Sequence, residues 1–566
     1  MIQLGGCSLK KLRKFQAATY SVITLAFLYH IFANSINLNP FYADSAFFWC
    51  VVISVYLLVW SFFRLGGSLR GLLSADEAGR IQVNLQGFSF GMIPRLVKIL
   101  LAAPWVLFVV AMIFSTVLFN WKAYRDQLGD PQVQSFSSDM QVLDISQVPI
   151  VDKALASKLA DKKLGERPSL GSQVVLGEPT IQRVDGKLVW AVPRHHSGFF
   201  KWLTNLSGTP GYVVVSATNM NDVEYVDSHL IKYQPNSYLL HDLTRYTRFT
   251  SALFTGITDY SFELDDSGVP HWIVTTYKNL RGFALPEADG VIIVNATTGE
   301  TKKYTLDNVP EWVDRVQPED FIISQIRNKG EYVHGFLNFS DKDKYRPSQG
   351  EAIIYNNGRC YLFTGLTSVG NDESAIGFMM VDMVTKEPLL YQMNGATEAA
   401  AQASAQGKVQ HLGYYASFPI ILNVDGTPSY FMTLKDREGL IKQYALVSVE
   451  SYSIVGVGDT MEDAFQNYQS ALRQSGVSSD VIQTGGEEKT SSGTVLRIKG
   501  QFDGNETVYF LILEEMQNKI FTVTSSVSDE IVLTQPGDRI SVRYYEAEGQ
   551  PVLSALEFDN LMFSQS

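Results

Sequence analysis

The residues of this chain that could do chemistry are few and far apart. Gly87-Phe88-Ser89-Phe90-Gly91 satisfies the G-x-S-x-G pattern of a nucleophile elbow. That turn needs a buried strand before it, a helix after it, and a histidine and an acid brought in by a large sheet. Here it lies between two apolar runs, in a loop from Arg64 to Lys98 that holds no histidine, so chance explains it better than catalysis. His195 and His196 are adjacent, which on a strand points their rings to opposite faces, and His229, His241, His271, His334 and His411 lack metal-ligand spacing. Asp341 and Asp343 open like a calcium loop, but the glycine and terminal glutamate it requires do not follow. Asp265-Asp266 and Glu514-Glu515 fall at turn-like and strand-end positions, where solvation is the default. We therefore assign no catalytic, metal or cofactor residue from sequence and expect a binding component before an enzyme. One cluster remains: His195, His196, Phe199, Phe200 and Trp202, with Lys201 among them, too apolar to leave in water. Either it meets a partner or a membrane, or it completes its own core.

The elements that must position these residues begin with three apolar runs, at about 15–33, 46–63 and 99–121. Each is long enough to cross roughly 30 Å of hydrocarbon at about 1.5 Å per residue. Lys10, Lys11, Arg13 and Lys14 precede the first, the hairpin Asn34 to Ser45 has no basic residue, and Arg64 to Lys98 holds five. Basic loops stay cytoplasmic, so the N-terminus is expected inside and everything after Trp121 outside, in the inner (cytoplasmic) membrane and its periplasm if the source is Gram-negative. Apart from His30 the spans hold no residue expected to be charged, which argues against a solute path within them.

Charge divides the chain the same way. Up to residue 121 nine Lys/Arg face three acids, a balance of +6; the whole chain carries −12, so the remainder carries −18. An acidic domain without a basic stripe excludes nucleic acid as the expected partner. Three cysteines, Cys7, Cys50 and Cys360, leave no disulfide in the polar part, a usage that fits a bacterial envelope protein.

After a polar stretch at 122–148, read as a stalk, a pattern recurs. A turn leads to an aromatic strand at Asp185-Gly186 (Trp190), Ser267-Gly268 (Trp272), Asn357-Gly358 (Tyr361) and Asp425-Gly426 (Tyr430). A second glycine opens another strand, turn and strand, as in Gly211 to Tyr225, Gly290 to Tyr304, Gly377 to Tyr391 and, more loosely, Gly439 to Val455. Helices are expected at Asp152 to Lys163, Pro318 to Ile326, Thr397 to Gln406 and from Thr460 onward. The fold class is thus three transmembrane α-helices followed by α+β units, each a helix on an antiparallel sheet. Two units are placed at 149–310 and two at 311–478. The loops Pro193 to Pro210, Lys278 to Asp289 and Gly365 to Ile376 would share one rim, where binding usually lives. Five short strand-like runs in 479–566 predict a small OB-like β-barrel.

The run Val291-Ile292-Ile293-Val294-Asn295-Ala296-Thr297-Thr298-Gly299-Glu300 resembles the strand-turn-strand of PepSY-like, cystatin-type extracytoplasmic repeats, and Tyr212 to Tyr225 does so less closely. The resemblance implies binding or inhibitory modules. The expectation is a membrane-anchored scaffold that contacts membrane lipid and forms a homo-oligomer or joins envelope protein partners. An envelope hydrolase with a site in a repeat cleft, or an accessory subunit of a transporter, are the alternatives.

Overall fold

The structure is a computed structural model; it describes residues 9–65, 73–75, 81–83, 94–141, 147–166, 173–369, 375–424, 426–475, 487–503, 506–525, 527–546 and 552–563. The Gly87 to Gly91 pattern, Cys7, Arg70, Arg80 and Asp425 lie outside these residues. Three apolar helices have membrane-spanning length: α1 (Leu9–Asn34), α2 (Ala43–Leu65) and α3 (Arg95–Phe114), the last running through Pro104. The third ends seven residues before the expected Trp121. Ser115 Oγ and Thr116 Oγ1 donate back to the carbonyls of Ala111 and Ile113 beside the backbone N–H groups of the same residues, and the extended backbone of Thr116 ends the helix. A new helix, α4 (Val117–Asp126), starts there.

Beyond it, four antiparallel sheets follow one another in the chain. The first unit holds α5 (Lys153–Gly165) and strands β2 (Val174–Leu176), β3 (Thr180–Val184), β4 (Lys187–His196), β5 (Thr209–Ser216) and β6 (Val223–Ile231), with a short helix α6 (Phe199–Thr204) between β4 and β5. The second has α7 (Leu243–Ser251) and β7 (Gly256–Leu264), β8 (Pro270–Arg281), β9 (Ala284–Asn295) and β10 (Thr301–Thr305). The third has α8 (Glu319–Glu331) and β11 (Tyr345–Pro347), β12 (Ala352–Asn356), β13 (Arg359–Ser368), β14 (Ala375–Asp382) and β15 (Pro388–Gly395). The fourth has α9 (Glu398–Lys408) and β16 (Tyr415–Ala416), β17 (Ile420–Val424), β18 (Thr427–Lys435), β19 (Ile441–Ser448) and β20 (Val455–Gly458), and α10 (Met461–Gln474) packs on its sheet.

The repetition reaches single hydrogen bonds. The residue just after the third main strand of each unit, Ala217, Ala296, Met383 or Val449, accepts from the segment leading toward the helix, at Val151, Tyr233, Gln317 and Ala396. The same four residues donate to Leu188, Pro270, Cys360 and Pro428 at the start of the preceding strand. The hairpin glycines Gly186, Gly268, Gly358 and Gly426 all have φ between +76° and +82°, a region open to glycine without steric cost. The aromatic residue that follows them is buried, and in three units it ties down the pre-helix segment: Trp190 to Val151 O, Trp272 to Tyr233 O and Tyr430 to Ala396 O.

The units pack within each expected pair, 149–310 and 311–478, and also across residue 310. Residues of the first and second sheets share one core (Ala191, Tyr212, Phe262, Trp272, Ile292), and residues of the third and fourth share another (Phe363, Phe378, Tyr430, Val447). Tyr355 of the third unit and Ile441 of the fourth pack onto the first-unit core. Within 122–148, the stretch read as a stalk, side chains and backbone pack on the body. Leu128, Phe136 and Met140 are buried, and strand β1 (Gln132–Val133) adds in parallel to β15 at Leu389 and Leu390. The backbone groups left open at that sheet edge gave the polar stretch a place to bond. Last come β21 (Glu487–Asp503), β22 (Glu506–Leu513), β23 (Met516–Thr524), β24 (Arg539–Glu546) and β25 (Val552–Asn560), which close into a barrel in the order β21-β22-β23-β25-β24 with β23 and β25 parallel.

Candidate functional site

The cluster singled out in the sequence divides into three kinds of residue. Trp202 is buried and donates through Nε1 to His241 Nδ1 at 2.9 Å, in the segment that leads from the first unit into α7, so it belongs to the large domain's own packing. Phe199 and Phe200, one and two residues into α6, stay exposed, Phe199 edging onto Tyr238 at 5.2 Å. His195 lines a cleft, its ring bonded to the Pro235 carbonyl and edge-on to Trp272 at 6.1 Å, while Nε2 is shut off from solvent without a partner. Desolvation pulls its pKa down to about 4, so it is neutral at pH 7. His196 is likewise lowered by burial, and its backbone N–H donates to Gln234 Oε1. The other singled-out groups stay apart: His30 bonds Asn34 within its own helix, His334 bonds Asp343 at 2.7 Å, and no group of three potential metal ligands occurs among the described residues.

A feature the sequence reading missed joins the large domain to the membrane helices. The last turn of α1 contains no basic residue, so its terminal carbonyls lack an internal partner. Arg245, on α7 of the second unit, supplies one: Nε donates to Phe32 O at 2.9 Å, Nη2 to Ala33 O at 3.1 Å, and the guanidinium lies 5.0 Å over the Phe32 ring. Arg248, one turn on, donates to Ser35 O at 3.0 Å and to Thr255 O at 2.6 Å, and its burial lowers its pKa. A cation at a helix C-terminus is favoured by the helix dipole, and a guanidinium can bind several carbonyls at once. Tyr42 of the α1–α2 hairpin completes the joint, donating to Tyr277 O and accepting from Gly256 N–H.

The expected loop Lys278 to Asp289 is part of the same joint. It is not a loop: β8 and β9 stay paired to Arg281 and Ala284. Their tip reaches the end of α3, where Phe283 N–H donates to Ser115 Oγ at 2.9 Å and the Phe283 ring meets Phe108.

Between the first and second units opens a cleft of about 950 Å³, walled by α5, β7, His195 and the start of α8. Asp259 on β7 sits at φ +49°, and burial raises its carboxyl pKa; burial also raises that of the Tyr260 phenol. Arg315 pairs with Glu319 at the same wall. Behind it the first three units meet on carboxyl groups. Glu263, fully buried, accepts from Ser261 Oγ at 2.8 Å and from Asp314 N–H at 2.9 Å. Asp314 accepts from Arg183 N–H and from the Tyr355 hydroxyl. Desolvation, reinforced by Asp314, pushes Glu263 up to about 8, so it holds a proton at neutral pH. The neighbouring Cys360 thiol is raised well above its ordinary value by burial, which leaves it inert.

No known protein family matches the chain, and neither does any curated protein. Among solved structures it is similar at 9% identity to an ACO/RPE65 chimera (TM-score 0.13; 48% of this chain, 47% of that one) and to a mutant of Synechocystis apocarotenoid oxygenase (TM-score 0.12; 51% and 49%). The chain spans about half the length of each.

Proposed function

We propose that this protein is a membrane-anchored extracytoplasmic scaffold, one that assembles into a homo-oligomer or a larger envelope complex. The observation that carries the reading is the joint made by Arg245, Arg248, Tyr42 and Ser115, which fixes a body of four core-sharing sheets at a set position on the membrane helices. Ligand-free transport through the anchor has no such requirement, whereas presenting a surface to partners does. In this reading the units are PepSY-like modules, supported by the order of a helix followed by antiparallel strands. The terminal barrel is of the OB type, supported by its strand order and parallel β23–β25 pair, and acts as a docking module. The basic N-terminal side faces the cytoplasm and the body lies outside. Purification of the full chain in mild detergent, with copy number and co-purifying proteins measured, tests this: a monomer without partners sinks it.

A second reading, an envelope hydrolase with its site in a repeat cleft, draws on the cleft that gathers Asp259, Tyr260, Arg315 and Glu319. It requires turnover of an ester or peptide substrate that disappears in Asp259→Asn. Turnover unchanged by that substitution removes the cleft from consideration.

A further inference from the structure

Apolar side chains left uncovered by the large domain gather where the membrane helices end. Leu239 and Leu240 are 59% and 48% exposed, and the Arg245 guanidinium that binds Phe32 O and Ala33 O of α1 also donates to Leu239 O at 2.7 Å. One planar group therefore holds this turn within two hydrogen-bond lengths of the helix end. Phe254, 60% exposed, is tied to the hairpin by Asn39 Nδ2, which donates to its carbonyl at 3.0 Å. Leu337 and Phe339, 70% and 83% exposed, follow Gly335, which faces the Trp121 indole just past the break after α3, while Tyr124 meets Tyr332. Phe200, 77% exposed, is carried by α6, whose Phe199 packs on Tyr238, the neighbour of Leu239.

The connection that holds α6 joins the same two strands of its unit as the β8–β9 turn does in the second unit, and that turn already touches α3. Three separate contacts to the ends of α1, the hairpin and α3–α4 thus set one level, the level at which these helices leave hydrocarbon. Aromatic and aliphatic tips at that level, with Lys122 and Arg125 beside Trp121 and Lys201 beside Phe200, have the composition of an interfacial belt.

We propose that the membrane-proximal underside of the large domain dips into the leaflet from which the α1–α2 hairpin emerges. Phe200, Leu239, Leu240, Leu337 and Phe339 are its lipid-contacting residues. The occupant of the patch is lipid because the patch is continuous with surfaces already at the bilayer edge. Through this contact the body lies against the membrane in addition to hanging from its helices.

The test uses the full chain with Cys7→Ser, since Cys50 and Cys360 are buried and unreactive toward bulky reagents. Phe200→Cys, Leu240→Cys and Leu337→Cys are each labelled with an environment-sensitive fluorophore and reconstituted into vesicles of phosphatidylethanolamine and phosphatidylglycerol. Gln466→Cys, on the exposed side of α10, is the reference. Lipids with a nitroxide near the headgroup end of the acyl chain are expected to quench the three belt positions several-fold more than Gln466→Cys. Melting checks the fold of each variant, and Phe339→Cys replaces any that fails. Quenching no greater than at the reference overturns the proposal. So does blue-shifted emission without lipid quenching, which would mean that a second copy or another protein covers the patch.

Discussion

The four-sheet body and the C-terminal barrel are built on opposite plans. In the body two of the hydrophobic cores each take buried residues from two sheets, a third is covered by side chains of other units, and side chains cross between units: Thr180 and Gln182 of β3 accept from the N–H groups of Phe262 and Leu264 on the edge strand β7. The barrel core, with Leu511, Phe521, Val542 and Leu553 at its centre, draws only on the barrel's own residues. An open sheet of four to six strands leaves a face and two edges to cover, so the small units stabilise one another, while a closed barrel has neither open edges nor an uncovered inner face. The difference teaches that repetition in sequence does not mean independence in folding.

The sharpest break of that comparison is truncation. A chain ending at Ser475 is expected to keep the main melting transition of the full protein in calorimetry, whereas one ending at Pro310 is expected to give none; a folded shorter fragment would refute shared stability. Next in size, Phe363→Ala in the third-fourth core is expected to cost about 3–5 kcal/mol and lower the body transition alone. Phe521→Ala, of similar cost, should move only a barrel transition. Arg245→Ala removes two charge-assisted bonds to α1, each of about 1.5–3 kcal/mol. Limited proteolysis should then cut the Ser35 to Tyr42 hairpin faster, without altering the barrel.

Smaller effects sharpen the picture of the three-unit junction. Glu263 has its folded pKa raised from 4.5 to about 8, so its contribution to stability is whole below about pH 4.5 and is lost as pH rises toward 8. Glu263→Gln, which stays neutral, should melt higher than the parent at pH 8 and lose that advantage toward pH 4.5. The slope should appear in the body transition and not in the barrel's. Smallest, Thr460→Ala removes the capping box of α10, the last helix before the barrel, and should lower the body transition by about 1 kcal/mol.

Much of this architecture was legible in residues. The turn glycines with their trailing aromatics marked all four hairpins, and Thr460, Thr397 and Asp152 mark helix starts that the structure keeps as side-chain caps. What escaped had physical cause. Helix α7 reads Leu-Thr-Arg-Tyr-Thr-Arg-Phe-Thr-Ser, a short run in which Thr, Tyr, Phe and Ser outnumber the good helix formers Leu and Arg. It is held by its Asp242 cap and by carbonyl partners for Arg245 and Arg248 that lie some 210 residues earlier. The helix that grips the anchor is thus among those the sequence did not announce. The candidate cluster was half visible: its apolar excess was plain, but only tertiary contacts separate buried Trp202 from exposed Phe200.

Strand β1 imposes an order on synthesis. It leaves the ribosome just after the membrane helices, yet its partner β15 lies about 260 residues downstream. At about 5–20 residues per second, the segment from Leu128 to Met140 waits roughly 13–50 s for the sheet that will hold it. Throughout that interval its buried residues, Leu128, Phe136 and Met140, lack the sheet that covers them in the finished body, and Met140 waits longer still for Asn423, which bonds its carbonyl.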